Sequence, residues 1–439
     1  MRRGYRMAKR IQQSERPNII EELNRLFSAK WLREAAKETG FVKRDRKIDP
    51  ALMFWSLTLG FGVQLQRTLA SLRRLYEEKG EVHISRSSFY DRFTPELVNF
   101  LHTCVLHGLE NIAQNPNRIL KDKLVGFKDL LIQDSTIIRL HEKLAYKWPA
   151  ARTKKIAAGV KLSLLVSAVA DGPKRIALCG ERTSEVKTLR IGPWIKDRIL
   201  LIDLGFYKHN TFARIDENGG YFVSRLKSKV DPLIIGTNRT CRGRSIDVVG
   251  KRLSEVLPKL KRQVIDVEVE VKFKRRAYNG KQKGDAKRFR LVAMYNEEAE
   301  KYHVYITNIP VERLDGEDIA ILYSARWEIE LIFKELKSRY GIDILPTSNP
   351  AIVEALLWVG ILTLIVSRRV YLMVFSANLE NAPRYTHLRW ATIFAEKSHR
   401  LLDAVLNYAE IDAGLMELFE VYQSQALDPN VNRKRLMDQ

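Results

Sequence analysis

Apolar residues recur at helical spacing through residues 17–116, in segments such as IIEELNRLF, ALMFWSLTLGFGVQL and ELVNFLHTCVLHGLENI. Asp-Pro and Thr-Pro pairs mark helix starts within this stretch. From about residue 124 the period shortens to that of strands. GFKDLLIQDST is an apolar run ending at Asp134, and KLSLLVSAVADGPKRIALCG reads as a hairpin about Ala-Asp-Gly-Pro. DRILLIDLGF is a second buried-strand pattern ending at Asp203, and YFVSRLK at 221–227 is another strand. Strict alternation in DVEVEVKFK predicts a half-exposed strand, with Val267, Val269, Val271 and Phe273 inward and Asp266, Glu268, Glu270, Lys272 and Lys274 outward. RFRLVAMYN and KYHVYITNIP are its expected partners. The run ILYSARWEIELIFKELKSRYGID, residues 321–343, predicts helix throughout. The most apolar run, ALLWVGILTLIV at 355–366, is twelve residues long, too short to span a bilayer, and predicts a buried core helix.

These changes of period divide the chain into a basic arm (1–16), a helical N-terminal domain (17–120), the first part of an α/β core (121–227), a β-rich basic insertion (228–312), the second part of the core (313–375) and a helical C-terminal region (376–439). The predicted fold class is α/β, a mixed sheet flanked by helices. Within the N-terminal domain, RTLASLRRLYEEKGEVHISRSSFYDRF predicts two short helices about a Gly-containing turn, with Arg86, Ser87, Ser88, Tyr90 and Arg92 on the second. A DNA-reading helix-turn-helix and a plain helical hairpin fit this pattern equally.

Charge narrows the class of partner. The 439 residues carry 75 basic against 52 acidic side chains, a net charge of +23. Residues 250–290 alone hold 14 basic against 5 acidic residues. Such an excess favours a polyanion, above all nucleic acid, through counterion release. No amphipathic or spanning segment supports a membrane partner, and the arm with Arg2, Arg3, Arg6, Lys9 and Arg10 leads into no apolar signal region. That arm suits either a grip on DNA or a solubilising tail. Cys104, Cys179 and Cys241 are far apart and eight scattered histidines form no HxxxH pair, so a zinc site is not expected and a reducing cytoplasm is.

Three carboxylates stand out by context. Asp134 and Asp203 each follow an apolar strand, at the carboxyl ends where α/β sheets place their sites. Glu330 lies on the predicted helix, where Tyr323, Arg326, Glu330 and Lys337 share an arc of about 60°. Lys334, nearby on the wheel, suits either a phosphate contact or a pair with Glu330. Trp327, at the edge of the arc, is expected to pack. Two or three carboxylates suit hard divalent ions, and phosphodiester chemistry uses a pair of them.

The spacing Tyr323-x2-Arg326-x3-Glu330-x6-Lys337, flanked by ARWEIE, resembles the YREK signature of one insertion-sequence group of bacterial DDE transposases. The resemblance extends to Asp134 before Ser-Thr, to Asp203 in LIDLGF and to Thr307-Asn308, and covers roughly residues 125–345. It implies an RNase H-like core in which Asp134, Asp203 and Glu330 are catalytic and bind two Mg²⁺ or Mn²⁺ ions. Tyr323, Arg326, Lys337 and Lys334 would then contact DNA, with Arg86 and Arg92 as further DNA contacts in the N-terminal domain. The implied reaction is cut-and-paste transposition at terminal inverted repeats, on double-stranded transposon ends and target DNA, by a homodimer in a synaptic complex associated with the cytoplasmic nucleoid. Relatives hold a flipped base on an aromatic, and Tyr302 and His303 lie near the corresponding place. Charge and helices alone would equally fit a catalytically inactive, transposase-derived DNA-binding protein or repressor. The retention of all three acids with the signature residues argues against it. A junction resolvase would not need the long basic β-rich segment.

Overall fold

The computed structural model describes residues 18–429, apart from 44–47, 64–67, 115–119, 121, 152–156, 239–245, 276, 278, 280, 346, 379–380, 382–383 and 408–412. The basic arm, Cys241 and the last ten residues lie outside the described residues. The described residues divide into two compact units, one within residues 18–111, 335–344 and 349–429, the other within residues 112–334 and 345–348.

The second unit is built on one nine-stranded sheet. Its strands are β1 (Asp129–Leu140), β2 (Ala158–Ser167), β3 (Gly172–Gly180), β4 (Arg198–Ile202), β5 (Tyr221–Arg225), β6 (Leu233–Thr237), β7 (Val264–Lys274), β8 (Gly284–Asn296) and β9 (Lys301–Thr307), in the order β3-β2-β1-β4-β5-β9-β8-β7-β6. The first three are antiparallel, whereas β1, β4 and β5 run parallel. This strand order and mixture of directions is RNase H-like, with helices flanking the sheet. β2 is buried along its whole length, as its near-continuous apolar run requires. Leu131, Leu200, Ile202 and Phe222 pack with Phe206, Phe212 and Ile215, the last two from the helix His209–Glu217, in one apolar core.

β1 does not stop at Asp134, where the apolar run predicts its end. It continues to Leu140, because Ser135–Leu140 keeps pairing antiparallel with Ala158–Ser163 after β4 has ended. The strands of residues 228–312 continue the core sheet rather than forming a layer of their own: β9 pairs with β5, and β8, β7 and β6 follow outward. Asp266, expected to face solvent, is buried. It forms a bidentate pair with Arg290, at 2.9 Å and 2.5 Å, and Arg290 also donates to the carbonyls of Ile309 and Leu314. A buried charge of this kind is tolerable only because its partner is fully engaged. The pair fixes the loop that leads into the helix Gly316–Ser324.

The other unit is helical, with Ile19–Leu26, Ala29–Glu38, Pro50–Trp55, Leu69–Gly80, Arg86–Tyr90, Pro95–Gln114, Pro350–Ser376, His387–Leu406 and Ala413–Gln425. The predicted twelve-residue apolar run lies inside the 27-residue helix Pro350–Ser376. By length and composition that helix could cross a membrane, but 83% of its most apolar window is buried within the fold. Its Arg368 pairs with Glu335, both fully buried, and Tyr340 Oη lies 2.9 Å from Glu335 Oε1 and 2.7 Å from Ser367 Oγ. The second of the two predicted short helices, Arg86–Tyr90, has five residues. Arg86 is on it, exposed, while Arg92 falls beyond its end and donates to Ser88 O. Asp91 and the turn before Pro95 stop the helix there.

Candidate active site

Strand register brings the two aspartates together. β1 and β4 pair in parallel up to Gln133 opposite Ile202, so Asp134 and Asp203 are the next residue on each of two adjacent strands. Asp134 accepts the Ser135 amide at 2.7 Å. Asp203 opens the short 3₁₀ turn Leu204–Phe206.

The third acid arrives on a helix that is not continuous. Asp315 caps Gly316–Ser324 reciprocally with Asp318, and Lys123 holds both carboxylates. This helix ends at Ser324, and a second helix runs from Trp327 to Ser338. Residues 321–343 therefore form two helices and a tail, not the single helix that their spacing predicts. Tight turns close the gap, with the amides of Ala325 and Arg326 donating to the carbonyls of Leu322 and Tyr323. The break lies immediately before the first turn that carries Glu330, and it releases Arg326 from the helical arc.

Arg326 occupies the centre of the cluster. Its Nη1 donates to Asp134 Oδ2 at 3.0 Å, its Nη2 donates to Glu330 Oε1 at 2.6 Å, and its Nε stands 3.9 Å from Asp203 Oδ1. One guanidinium thus gathers carboxylates from three segments of the chain, Asp134 lying 192 positions before it. Burial pushes the Asp134 carboxyl up to about 6. The Asp203 and Glu185 carboxylates push in the same direction, while the Ser135 amide and Arg326 oppose them. Arg326 is held above its ordinary value: burial works against its charge, but Glu330, Asp203 and Asp134 outweigh that. Tyr323 is buried with its ring against Tyr305, and its phenol is pushed up to about 12 by burial and then by Asp203. In this arrangement Tyr323 and Arg326 face the acids. Lys334 and Lys337 lie farther along the second helix, exposed and half-buried respectively. Trp327, expected to pack, is 53% exposed.

A family model described as Transposase DDE domain matches residues 126–366. The chain belongs to this family. It is 25% identical over 381 residues to the transposase for insertion sequence element IS231F of Bacillus thuringiensis subsp. israelensis, which is 75% of each chain. It is 22% identical over 357 residues to the transposase for IS1151 of Clostridium perfringens, 74% of each. A solved structure titled as the piggyBac transposase synaptic complex with hairpin DNA aligns with a TM-score of 0.49 and 9% identity, over 96% of this chain and 88% of that one.

Four features of this candidate site have no signal in residue spacing. Glu185, from the β3–β4 connection, accepts the Ser135 hydroxyl at 2.7 Å. The buried Lys161 donates to Thr183 O at 2.7 Å and stands 3.9 Å from Glu185. Gly205 leaves room for the Glu185 carboxylate. Next to Asp203, a cleft of about 380 Å³ is lined by Leu204, Arg225, Lys227, Lys301, Tyr302 and His303, among others. Thr307 and Asn308, part of the sequence resemblance, bond the backbone of β5 and the turn before it: Thr307 Oγ1 donates to Phe222 O, and Asn308 bridges the Phe222 amide and Gly220 O.

Among the described residues, no group of three or more His, Cys, Asp or Glu side chains is spaced to hold a metal ion directly. Arg326 is the cation that the acids share. Asp134, Asp203 and Glu330 offer carboxylate oxygens, which are hard ligands of the kind suited to Mg²⁺ or Mn²⁺.

Proposed function

We propose that this insertion-sequence transposase cleaves and rejoins DNA at the ends of its element, using Asp134, Asp203 and Glu330 to hold divalent ions. The observation that carries the reading is the convergence of these three acids on Arg326. Bound ions would activate the attacking oxygen and stabilise the leaving oxygen of a phosphodiester. First-strand hydrolysis breaks a phosphorus–oxygen bond and frees a 3′-hydroxyl; in strand transfer that oxygen forms a new bond to a target phosphorus, and the target strand's own 3′-oxygen leaves as a hydroxyl. Arg326, displaced from the acids, offers a planar fork to a phosphate of the bound strand. Lys334 and Lys337 add charge along the same helix, and Arg225, Lys227 and Lys301 line the cleft beside Asp203. The net charge of +23 supports a double-stranded DNA partner, transposon end and target alike. Arg86, on its exposed short helix, and Arg92 just beyond it are assigned to DNA contact in the helical unit. Pairing of two DNA ends calls for two copies of the chain in a synaptic complex, working at the nucleoid in the cytoplasm.

The test is cleavage and joining of linear DNA bearing the element's own terminal repeats. Mg²⁺ or Mn²⁺ should support it and chelation should abolish it. Asp134→Ala, Asp203→Ala and Glu330→Ala should each lower the rate on the order of a thousandfold or more. Full activity in these variants overturns the assignment.

A further inference from the structure

Glu185 joins the two strand ends that carry the aspartates. Its Oε1 accepts the hydroxyl of Ser135, the residue after Asp134. Its Oε2 lies over Gly205, two residues after Asp203, so closely that a Cβ there would stand 1.5 Å from it. The backbone beneath it is tied down. Thr188 Oγ1 donates to Glu185 O at 2.7 Å and lies 2.9 Å from Ser163 Oγ, which accepts Gln133 Nε2 at 2.8 Å. Gln133 precedes Asp134, so the chain of bonds begins and ends on β1.

The Ser135 hydrogen bond does not itself need a negative charge. A glutamine oxygen would accept the Ser135 hydroxyl equally well, and a carboxylate beside Asp134 and Asp203 repels both. Lys161, 3.9 Å away, compensates only part of that repulsion. The carboxylates of Asp134, Asp203, Glu330 and Glu185 thus gather about Arg326 and Lys161, a set of acids that a divalent ion would help to neutralise.

We propose that Glu185 is a positioning residue for the strand-cleavage reaction, which holds Asp134 and Asp203 in register through Ser135 and Gly205 and adds its charge to the field that attracts the divalent ion. This rests on the metal-dependent reading above. Outer groups that orient ligands commonly change metal affinity ten- to a hundredfold.

Mn²⁺ binding to the full chain, followed by calorimetry and by the electron paramagnetic resonance of the free ion, tests it. Glu185→Gln keeps the hydrogen bond and removes the charge. Its Mn²⁺ affinity should fall about tenfold, while the metal-free melting temperature falls only by the small amount that losing the Lys161 pair entails. Gly205→Ala leaves Glu185 in place but displaces its carboxylate, and should weaken Mn²⁺ binding to a similar degree. In end cleavage, both variants should need more Mn²⁺ for half-maximal rate while approaching the wild-type kcat at saturation. Wild-type Mn²⁺ affinity in Glu185→Gln overturns the role of the charge, provided that Asp203→Ala loses binding. A wild-type chain that binds no Mn²⁺, or binds it unchanged in Asp203→Ala, overturns the metal-dependent reading and this inference with it.

Discussion

Replacing Arg326 by Gln removes a cation that pairs with all three acids. The Asp134–Arg326 pair dominates the cost, because these side chains are only 15% and 18% exposed. At an effective dielectric of about 20, a unit pair near 4 Å is worth about 4 kcal/mol, and partial hydration reduces that. The Glu330 and Asp203 pairs are a third or more exposed on the acid side and add a fraction of a kcal/mol each. A net loss of about 2–3 kcal/mol in the metal-free protein follows, below the range for breaking a fully buried pair. For a unit of this size that is a melting temperature lower by roughly 5–10 °C. Divalent ions and Arg326 neutralise the same charges, so the variant should regain more from Mn²⁺ than the wild type does. The assay is calorimetric melting of both proteins in chelator and in millimolar Mn²⁺. Equal melting temperatures in chelator, together with equal Mn²⁺-induced rises, would show that Arg326 is not the cation that balances these acids.

Two further outcomes follow from buried charge. The folded-state pKa of Asp134, about 6, lies above its ordinary value of 3.8, so its contribution to stability is complete below about pH 4 and is lost as pH rises through 6. Metal-free wild type should therefore lose up to roughly 3 kcal/mol relative to Asp134→Asn between pH 4 and 7, read from denaturant melts; a constant difference across that range would contradict it. Arg290→Met strands Asp266 and frees the carbonyls of Ile309 and Leu314, with an expected loss of about 3–5 kcal/mol. The double variant with Asp266→Leu should recover most of it, and failure to do so would show that the carbonyl bonds rather than the charge dominate.

The two aspartates are legible in the sequence because a strand covered on both faces reads as an unbroken apolar run, and an acid that closes such a run must sit where the burial ends. Parallel pairing of β1 with β4 then places both acids side by side. Glu330 is legible from its spacing to Arg326 and Lys337. The break at Ala325–Arg326 is not, since both residues suit a helix. What competes with the helix is tertiary: Arg326 gains bonds to acids on β1 and beside β4. Asp266 reads as exposed because alternation carries no information about a partner 24 residues away. Glu185 sits in a connection with no period at all, and only its contacts with Ser135 and Gly205 reveal it. The β-rich segment is legible as strands, but its continuity with the core sheet depends on the β5–β9 pairing, which sequence alternation does not encode.

If Asp134, Asp203 and Glu330 together hold the divalent ions of a DNA-cleaving site, the ions themselves can be located. Anomalous diffraction from crystals of the transposase soaked in Mn²⁺, with terminal-repeat DNA bound, does so. Two peaks about 3.5–4 Å apart are expected, bonded to oxygens of all three carboxylates, with the Arg326 guanidinium moved off the acids and onto a phosphate. Peaks bonded elsewhere, or Arg326 still paired with Asp134 and Glu330 at saturating Mn²⁺, would rule out the three acids as the shared ligands.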